Sequence, residues 1–478
     1  MPRVNSQAIS ARQRRRIATK LLVSFATIAM ALALAAEFAQ AQQPPAQTGT
    51  PLTLQRAVSI ALEKNPARKV ALADTRVASA DVDEARSAIL PRIAFSETAS
   101  RSDDPVYVFG SKLRQRRFTA ADFGLNVLNT PVPYGNFGTR FDGQWNIFDS
   151  FASLHGIDRA RRMKDAAGHQ LDRTDQEIIF RVVEAYYEAL LAQKRLDVAE
   201  QSAKTAQAVL DQSNSRYKNG VVVESDYLAA QVRVAQRDEE LIRARNDLAF
   251  AGAQLATAMG LPASSGLAPA EALAEKTFPA VSLDDAEKQA VQTRPDLNAL
   301  RSQQAAQQQS VAVAKSSFGP RISAFADWEM DNPTFVAGGG GNNWTAGIQL
   351  QVDLFAGGAK RAELSRQHAL EQRAAAATEM TTDEVRLEVR RAYYDFDSAR
   401  QQVDVARATI KQSQEGLRIN QNRYSSGLAT ITDLLVAEDA ARLSQMDYWQ
   451  AIYRYYTSYA SLQLATGTLD PKSPVVTP

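Results

Sequence analysis

The chain carries one plan twice, and that duplication limits its possible folds more than any other feature. "RYKNGVVVESDYL" runs from Arg216 to Leu228 and returns 207 positions later as "RYSSGLATITDLL", from Arg423 to Leu435. Each stretch has a basic residue, then a tyrosine, a glycine four residues after the basic residue and an aspartate ten after it. The repeat extends well beyond this motif. "NPARKVALADTRVASADVDEARSAILPRI" aligns with "RPDLNALRSQQAAQQQSVAVAKSSFGPRI" at an offset of 229, pairing Pro66 with Pro295 and Pro91 with Pro320. From "WNIFDSFA" against "VDLFAGGA" onward the offset is 207, pairing "EAYYEAL" with "RAYYDFD" and Gly260 with Gly467. The difference between 229 and 207 gives the first copy a loop 22 residues longer, between the prolines and those phenylalanines.

Each copy contains a very long helical stretch. No proline interrupts the chain between Pro133 and Pro262 or between Pro333 and Pro471, and the segments 152–218 and 359–425 are rich in Ala, Glu, Gln, Arg and Leu. About 65 residues of helix make a rod of roughly 100 Å. Val385, Val389, Ala392, Phe396, Ala399, Val403, Ala406 and Ile410 step by four and three, as do Ile178, Val182, Ala185, Ala189, Ala192, Leu196, Ala199 and Ala203. That heptad seam predicts helices wound against each other, with alanines allowing close approach. Returning helices, 226–259 and 433–466, make each copy an antiparallel hairpin. Gly220 and Gly427 suit the position just past a helix end, and Asp226 and Asp433, or the neighbouring Ser225 and Thr432, suit caps of the returning helices.

Between the helical parts the period changes to two. In "WTAGIQLQVDL", Trp344, Ala346, Ile348, Leu350, Val352 and Leu354 alternate with polar or small residues, and "TRFDGQWNIF" sets Phe141, Trp145 and Ile147 against Arg140, Asp142, Gln144 and Asn146. "RIAFSETAS" and "RISAFADWEM" supply two partners that alternate less cleanly. A soluble sandwich needs six or seven strands, and only four are here. Strands with one apolar face, one polar face and aromatic ends suit an outer-membrane barrel with a wet interior. Exposed strand edges are not viable in lipid, so several chains must share one sheet, with eight strands from a dimer or twelve from a trimer as the smallest closures.

The remaining features place or exclude function. Six basic residues precede the apolar run "LLVSFATIAMALALAA", and "AQA" follows at 39–41, which predicts a signal peptide over 1–41 and an exported protein starting at Gln42; an uncleaved inner-membrane anchor is the alternative. Removing that leader takes the formal charge from +2 to 49 minus 52, or −3, so nucleic acid is a remote partner. No cysteine occurs, so there is no disulfide and no thiolate site, and the five methionines beyond the leader are dispersed, which argues against a soft-metal relay. His155, His169 and His368 read as solvated, and Tyr186, Tyr187, Tyr393 and Tyr394 as helix packing. The run Gly338 to Gly341 lacks the lysine of a phosphate cradle and reads as part of a flexible connector. The long first loop carries Lys112, Arg114, Arg116 and Arg117 among aromatics; a solvated loop is favoured over contact with lipopolysaccharide phosphates. No catalytic constellation has persuasive spacing, so no enzyme, cofactor or metal is expected.

Taken with the duplicated halves, two strands per half and R-Y/F-x-x-G-x-x-x-x-x-D at both helical tips, the chain resembles the TolC-like outer-membrane efflux family from Leu52 to about Gly467. The resemblance implies a mainly α fold with a membrane β-barrel. Long antiparallel coiled-coil hairpins form an α-barrel, and four strands per chain contribute to a trimeric twelve-stranded barrel in the outer membrane, extending into the periplasm. It implies a passive channel-tunnel of a tripartite efflux or type I secretion system. Its partners would be a periplasmic adaptor, an inner-membrane pump of RND or ABC type and outer-membrane lipid. By position, Gly220, Val221, Gly427 and Leu428 would face the adaptor. Arg216, Tyr217, Asp226, Arg423, Tyr424 and Asp433 would lie at the aperture. Ala429 and Val436 stand where the best-known member has a basic residue and a second acid, so the closed-state network must differ. The expected parts are a first repeat over 42–260 (strands about 92–103 and 138–148, hairpin 152–259), a linker over 261–282, a second repeat over 283–467 (strands about 321–330 and 344–355, hairpin 359–466) and a tail over 468–478. The competing expectation is a periplasmic adaptor, which also uses long hairpins but carries one rather than two.

Overall fold

The alanine-rich segments 152–218 and 359–425 are each one unbroken helix. A computed structural model describes residues 52–335 and 341–477; the expected leader, and Gly338 to Gly340 of the connector, lie outside the described residues. In chain order the elements are α1 (Leu54–Lys64), α2 (Pro66–Ser87), β1 (Arg92–Ser102), α3 (Pro105–Arg114), α4 (Leu125–Asn129), β2 (Tyr134–Phe148), α5 (Ala152–Lys218) and α6 (Glu224–Ala258), followed by α7 (Leu283–Thr293), α8 (Pro295–Ser316), β3 (Arg321–Asn332), β4 (Gly341–Gln351), α9 (Ala359–Ser425) and α10 (Ile431–Ala465). Equivalent helices have identical lengths: 11 residues for α1 and α7, 22 for α2 and α8, 67 for α5 and α9, and 35 for α6 and α10. Only α3 and α4 have no counterpart, and they occupy the longer first loop.

A returning helix of 35 residues covers only about half of a 67-residue rod. The other half is covered by α2 and α8: Arg68 of α2 pairs with Asp175 of α5 (2.7 Å), His155 of α5 lies 3.0 Å from Gln309 of α8, and Gln307 of α8 bonds Gln367 of α9 (2.7 Å). His155 is therefore half-buried and engaged rather than solvated. The two covering helices abut end to end. Gly260 follows α6 with φ 74°, and a Cβ there would stand 2.6 Å from the Cα of Asn65, which caps α2; Asn65 Nδ2 in turn donates to the Ala258 carbonyl at the end of α6 (2.9 Å). The second copy repeats this junction with Gly467 (φ 70°) against Arg294, while Thr293 Oγ1 donates to the Thr466 carbonyl (2.7 Å).

The core lies in a belt around these junctions, where both copies meet. Leu54, Val58, Ile179, Val182, Tyr186, Leu255 and Met259 from the first copy share it with Val389, Ile452, Tyr455 and Tyr459 from the second. The linker inserts Phe278, whose ring stacks on Tyr459 at 4.1 Å, and the tail adds Leu469, Val475 and Val476. Buried tyrosine hydroxyls find carbonyl partners, as burial demands: Tyr186 donates to Leu52 (2.9 Å) and Tyr187 to Val475 (3.3 Å). Packing therefore accounts for Tyr186 and Tyr187, whereas Tyr394 is exposed. Of the expected seam in α9, Val385 through Val403 is buried, while Ala406 and Ile410 are only half-buried.

The four strands form one antiparallel sheet in the order β1-β2-β3-β4, so β1 and β4 are its edges. Register aligns Phe95, Phe141, Trp328 and Trp344 in one row across all four strands, with rings 5.2 Å apart for Phe95–Phe141 and 5.9 Å for Phe141–Trp328. Because side chains alternate, the neighbouring row on the opposite face is Ser96, Arg140, Glu329 and Asn343, with Arg140 paired to Glu329 at 3.0 Å. Two strands differ from expectation at their ends. β2 starts at Tyr134 rather than near 138, and β4 runs 341–351 rather than 344–355, because Gly357 and Gly358 (φ 57° and 86°) turn the chain into α9 and Asp353 pairs with Lys360 (3.2 Å). The basic first loop is folded, with Arg114, Arg116 and Arg117 still exposed to solvent: Lys112 pairs with Asp122 (2.7 Å), Arg114 reaches Glu329 (3.4 Å) and Arg116 donates to the Asn342 carbonyl (3.1 Å). The Lys112 bond and those from Thr119 hold the Asp122 carboxyl at about 2.

Candidate functional site: the paired helical tips

Both rods end in the same backbone device. Gly220 (φ 70°) donates to the Tyr217 carbonyl (2.9 Å) and Val221 to Arg216 (2.9 Å); Gly427 (φ 74°) donates to Tyr424 (3.1 Å) and Leu428 to Arg423 (2.8 Å). This double bond pattern satisfies the last carbonyls of each rod and requires the left-handed backbone that glycine adopts without strain. It leaves Val221 and Leu428 at the apices, 67% and 71% exposed.

The returning helices are started differently. In the second copy Thr430 is the cap: its hydroxyl accepts from the Asp433 N–H (3.2 Å), and the Asp433 carboxylate accepts from the Thr430 N–H (2.9 Å) and hydroxyl (2.7 Å). These donors hold the Asp433 carboxyl below the usual carboxylate range. In the first copy the cap position is Val223, which has no side-chain acceptor, and Asp226 at the equivalent third position makes no side-chain hydrogen bond among the described residues. Ser225 and Thr432 therefore do not cap either helix. The cap position lies two residues before Ser225 and Thr432 and three before Asp226 and Asp433.

The two tyrosines diverge as well. Tyr217 is partly exposed and stacks on Tyr227 (5.7 Å, rings 4° apart). Tyr424 is buried with Val209, Ala230, Ile431, Leu434 and Leu435, its hydroxyl 3.3 Å from Ser213 Oγ. Arg216 joins the tips: its guanidinium lies 4.9 Å over the Tyr424 ring and donates to the carbonyls of Tyr424 (3.0 Å) and Ser425 (2.7 Å). A cation there meets the negative end of α9 and the π face together. Arg423, its equivalent, stays within its own hairpin, donating to the Leu428 carbonyl (3.4 Å) and acting electrostatically on Asp433. Ala429 packs against the Tyr424 cluster and Val436 is exposed.

Sequence reasoning missed a second lock behind the tips. Asp439 of α10 accepts from both Arg233 (2.8 Å) and Arg237 of α6, and Arg237, only 4% exposed, also pairs with Glu240 (2.7 Å). The signal was present as matched opposite charges 202 and 206 positions apart, close to the repeat offset. Removing one partner of such a buried group costs far more than removing a surface pair.

A duplicated pair of long hairpins joined to a sheet with one aromatic, apolar face describes a membrane-anchored tunnel protein, and comparison with known proteins agrees. The chain belongs to the outer membrane efflux protein family, whose family model matches residues 57–261 and 287–468 and leaves the linker between them unmatched. Protein CyaE of Bordetella pertussis is 28% identical over 413 residues, covering 83% of this chain and 80% of that protein. The alkaline protease secretion protein AprF of Pseudomonas aeruginosa is 23% identical over 420 residues, covering 86% and 83%. The solved outer membrane protein VceC of Vibrio cholerae shares the fold with a TM-score of 0.72 at 19% identity, covering 87% of this chain and 96% of that one. The fold is thus the mainly α, TolC-like channel fold with an outer-membrane β-barrel, and the protein is an outer-membrane channel.

Proposed function

We propose that three copies of this chain form the outer-membrane duct of a tripartite export system, through which substrate moves passively to the cell exterior. The observation that carries this is the four-stranded sheet with two unpaired edges among the described residues and an aromatic row on one face. Such edges are not viable in lipid, and three sheets closing into twelve strands remove all of them. Rods of roughly 100 Å then extend the lumen across the periplasm. The internal repeat supports closure at the tips too: Arg216 bonds the second tip from the first, and the same step taken once more directs Arg423 to the first tip of the next copy. The chain is proposed to have no catalytic role. Energy would come from an inner-membrane pump of RND or ABC type, and a periplasmic adaptor would seat on the tips at Gly220, Val221, Gly427 and Leu428. Tyr217, Asp226, Tyr424 and Asp433, with Arg216 and Arg423, are the proposed aperture residues. Relatives named for protease secretion and pyoverdine export support a secretion or efflux role without selecting the cargo.

The adaptor alternative predicts inner-membrane or soluble material and fits poorly with an outer-membrane family. Single cysteines at Val221 and Leu428 test the duct directly, since the chain has no native cysteine. A short crosslinker in intact cells is expected to join both to one periplasmic partner that co-purifies with a pump. Capture at neither tip, with the protein in the outer membrane, contradicts the proposed seat.

A further inference from the structure

At the strand ends farthest from the rods, the extra segment of the first copy folds inward. Helix α3 and the residues after it cross all four strands: Tyr107 and Ser100 of β1 share a hydroxyl bond (2.6 Å), Gln115 donates to Asn136 Oδ1 of β2 (2.8 Å), Arg114 pairs with Glu329 of β3 (3.4 Å) and Arg116 donates to the Asn342 carbonyl of β4 (3.1 Å). Ten residues of helix span about 15 Å, and four strands about 4.8 Å apart span nearly the same width. The side chains of Ser100, Asn136 and Glu329 belong to the polar face, which looks into the lumen of a membrane barrel. At Gln115 the anchorage is buried. Gln115 is 5% exposed, it also accepts from the Tyr134 hydroxyl (2.7 Å), and Asn136 donates onward to Asp331, which is fully buried.

We propose that α3 is an internal collar, and that three copies constrict the outer mouth of the shared barrel by meeting through Val106, Phe109 and Leu113. The inference rests on the trimeric duct proposed above. Tyr107, Ser111 and Gln115 turn one side of α3 toward the wall, so Phe109 and Leu113 lie on the opposite side, with Val106 at the rim of the cavity between α3 and the polar face; all three are exposed in the single chain, Val106 at 79%. Phe109 packs edge-on against Phe118 (4.9 Å) and still leaves the stripe exposed, whereas three such stripes brought to one axis bury each other. The dimensions require that meeting. Twelve strands tilted about 40° make a wall of roughly 12 Å radius, and a helix lying against its inner side takes about 10 Å of that. A passage of a few Å at most is left, and its lining is apolar, a composition that slows ion passage by disfavouring water. The eight residues 333–340 that join β3 to β4 are fewer than the ten of α3, so the proposed collar has three members, one per four strands.

Two measurements on the outer-membrane protein test this. Leu113→Cys, treated with a short bismaleimide, is expected to give covalent dimers on a denaturing gel. In planar bilayers, replacing residues 104–131 with a short Gly-Ser link is expected to raise single-channel conductance several-fold over the wild type. If the replacement does not assemble, Val106→Asp with Leu113→Asp, which leaves every sheet contact in place, is expected to give the same rise. A trimer that conducts equally with and without the collar overturns the constriction and leaves the duct standing, as does absence of crosslinking with unchanged conductance. A protein that neither trimerises nor conducts overturns the duct itself.

Discussion

Single residues set the joints of this molecule, and the repeat hides how differently its two copies use them. Gly260 and Gly467 align in the sequence, but nothing local says why glycine is needed. The reason is the start of another helix, at Asn65 and Arg294, 195 and 173 positions away from them. Gly260→Ala would both force a left-handed alanine, about 1 to 2 kcal/mol, and drive a Cβ to 2.6 Å from the Asn65 Cα. Loss of trimer heat resistance on a denaturing gel is the expected outcome, with Gly168→Ala, which meets nothing within 4 Å, as the neutral control. The tyrosines make the same point. Tyr217 and Tyr424 read alike, yet one is stacked at the surface and the other sealed beneath Arg216, because the sealing residue comes from the opposite copy.

Elements were legible wherever a long period carried them. The 67-residue rods begin and end where composition and glycine suggested, since propensity and an unbroken heptad agree over many turns. Strand ends and the first loop were not. β4 stops early because a glycine pair turns the chain, and α3 is too short for its apolar stripe to stand out from a basic loop. The helix starts at the tips give an element-scale prediction. Thr430 and Asp433 form a reciprocal cap on α10, whereas Val223 leaves α6 without one. Val223→Thr would let Asp226 complete the same box and stabilise the first tip by about 1 kcal/mol. Slower amide hydrogen exchange over residues 224–230 than in the wild type is expected, with no change over 431–437. Equal exchange at the first tip would show that the tip backbone does not adopt the geometry of its twin.

At the scale of the whole molecule, duplication and incompleteness act together. Two copies give equal hairpins and a central belt that buries the linker and tail, yet Phe250, Leu387 and Val405 stay exposed on the long helices. The sheet is left more incomplete still, because β1 and β4 end it on both sides and an aromatic row occupies one face. Sequence alone reached this imbalance by counting strands, and could not reach the inward fold of the first loop, which depends on contacts with all four. The most direct test of the central claim is the detergent-corrected mass of the purified protein, measured by light scattering on the same sample that is reconstituted into planar bilayers. A mass near three chains of 52.2 kDa, less any cleaved leader, together with discrete conductance steps, is the expected result. A single chain that remains dispersed in buffer without detergent and leaves bilayers silent would contradict it.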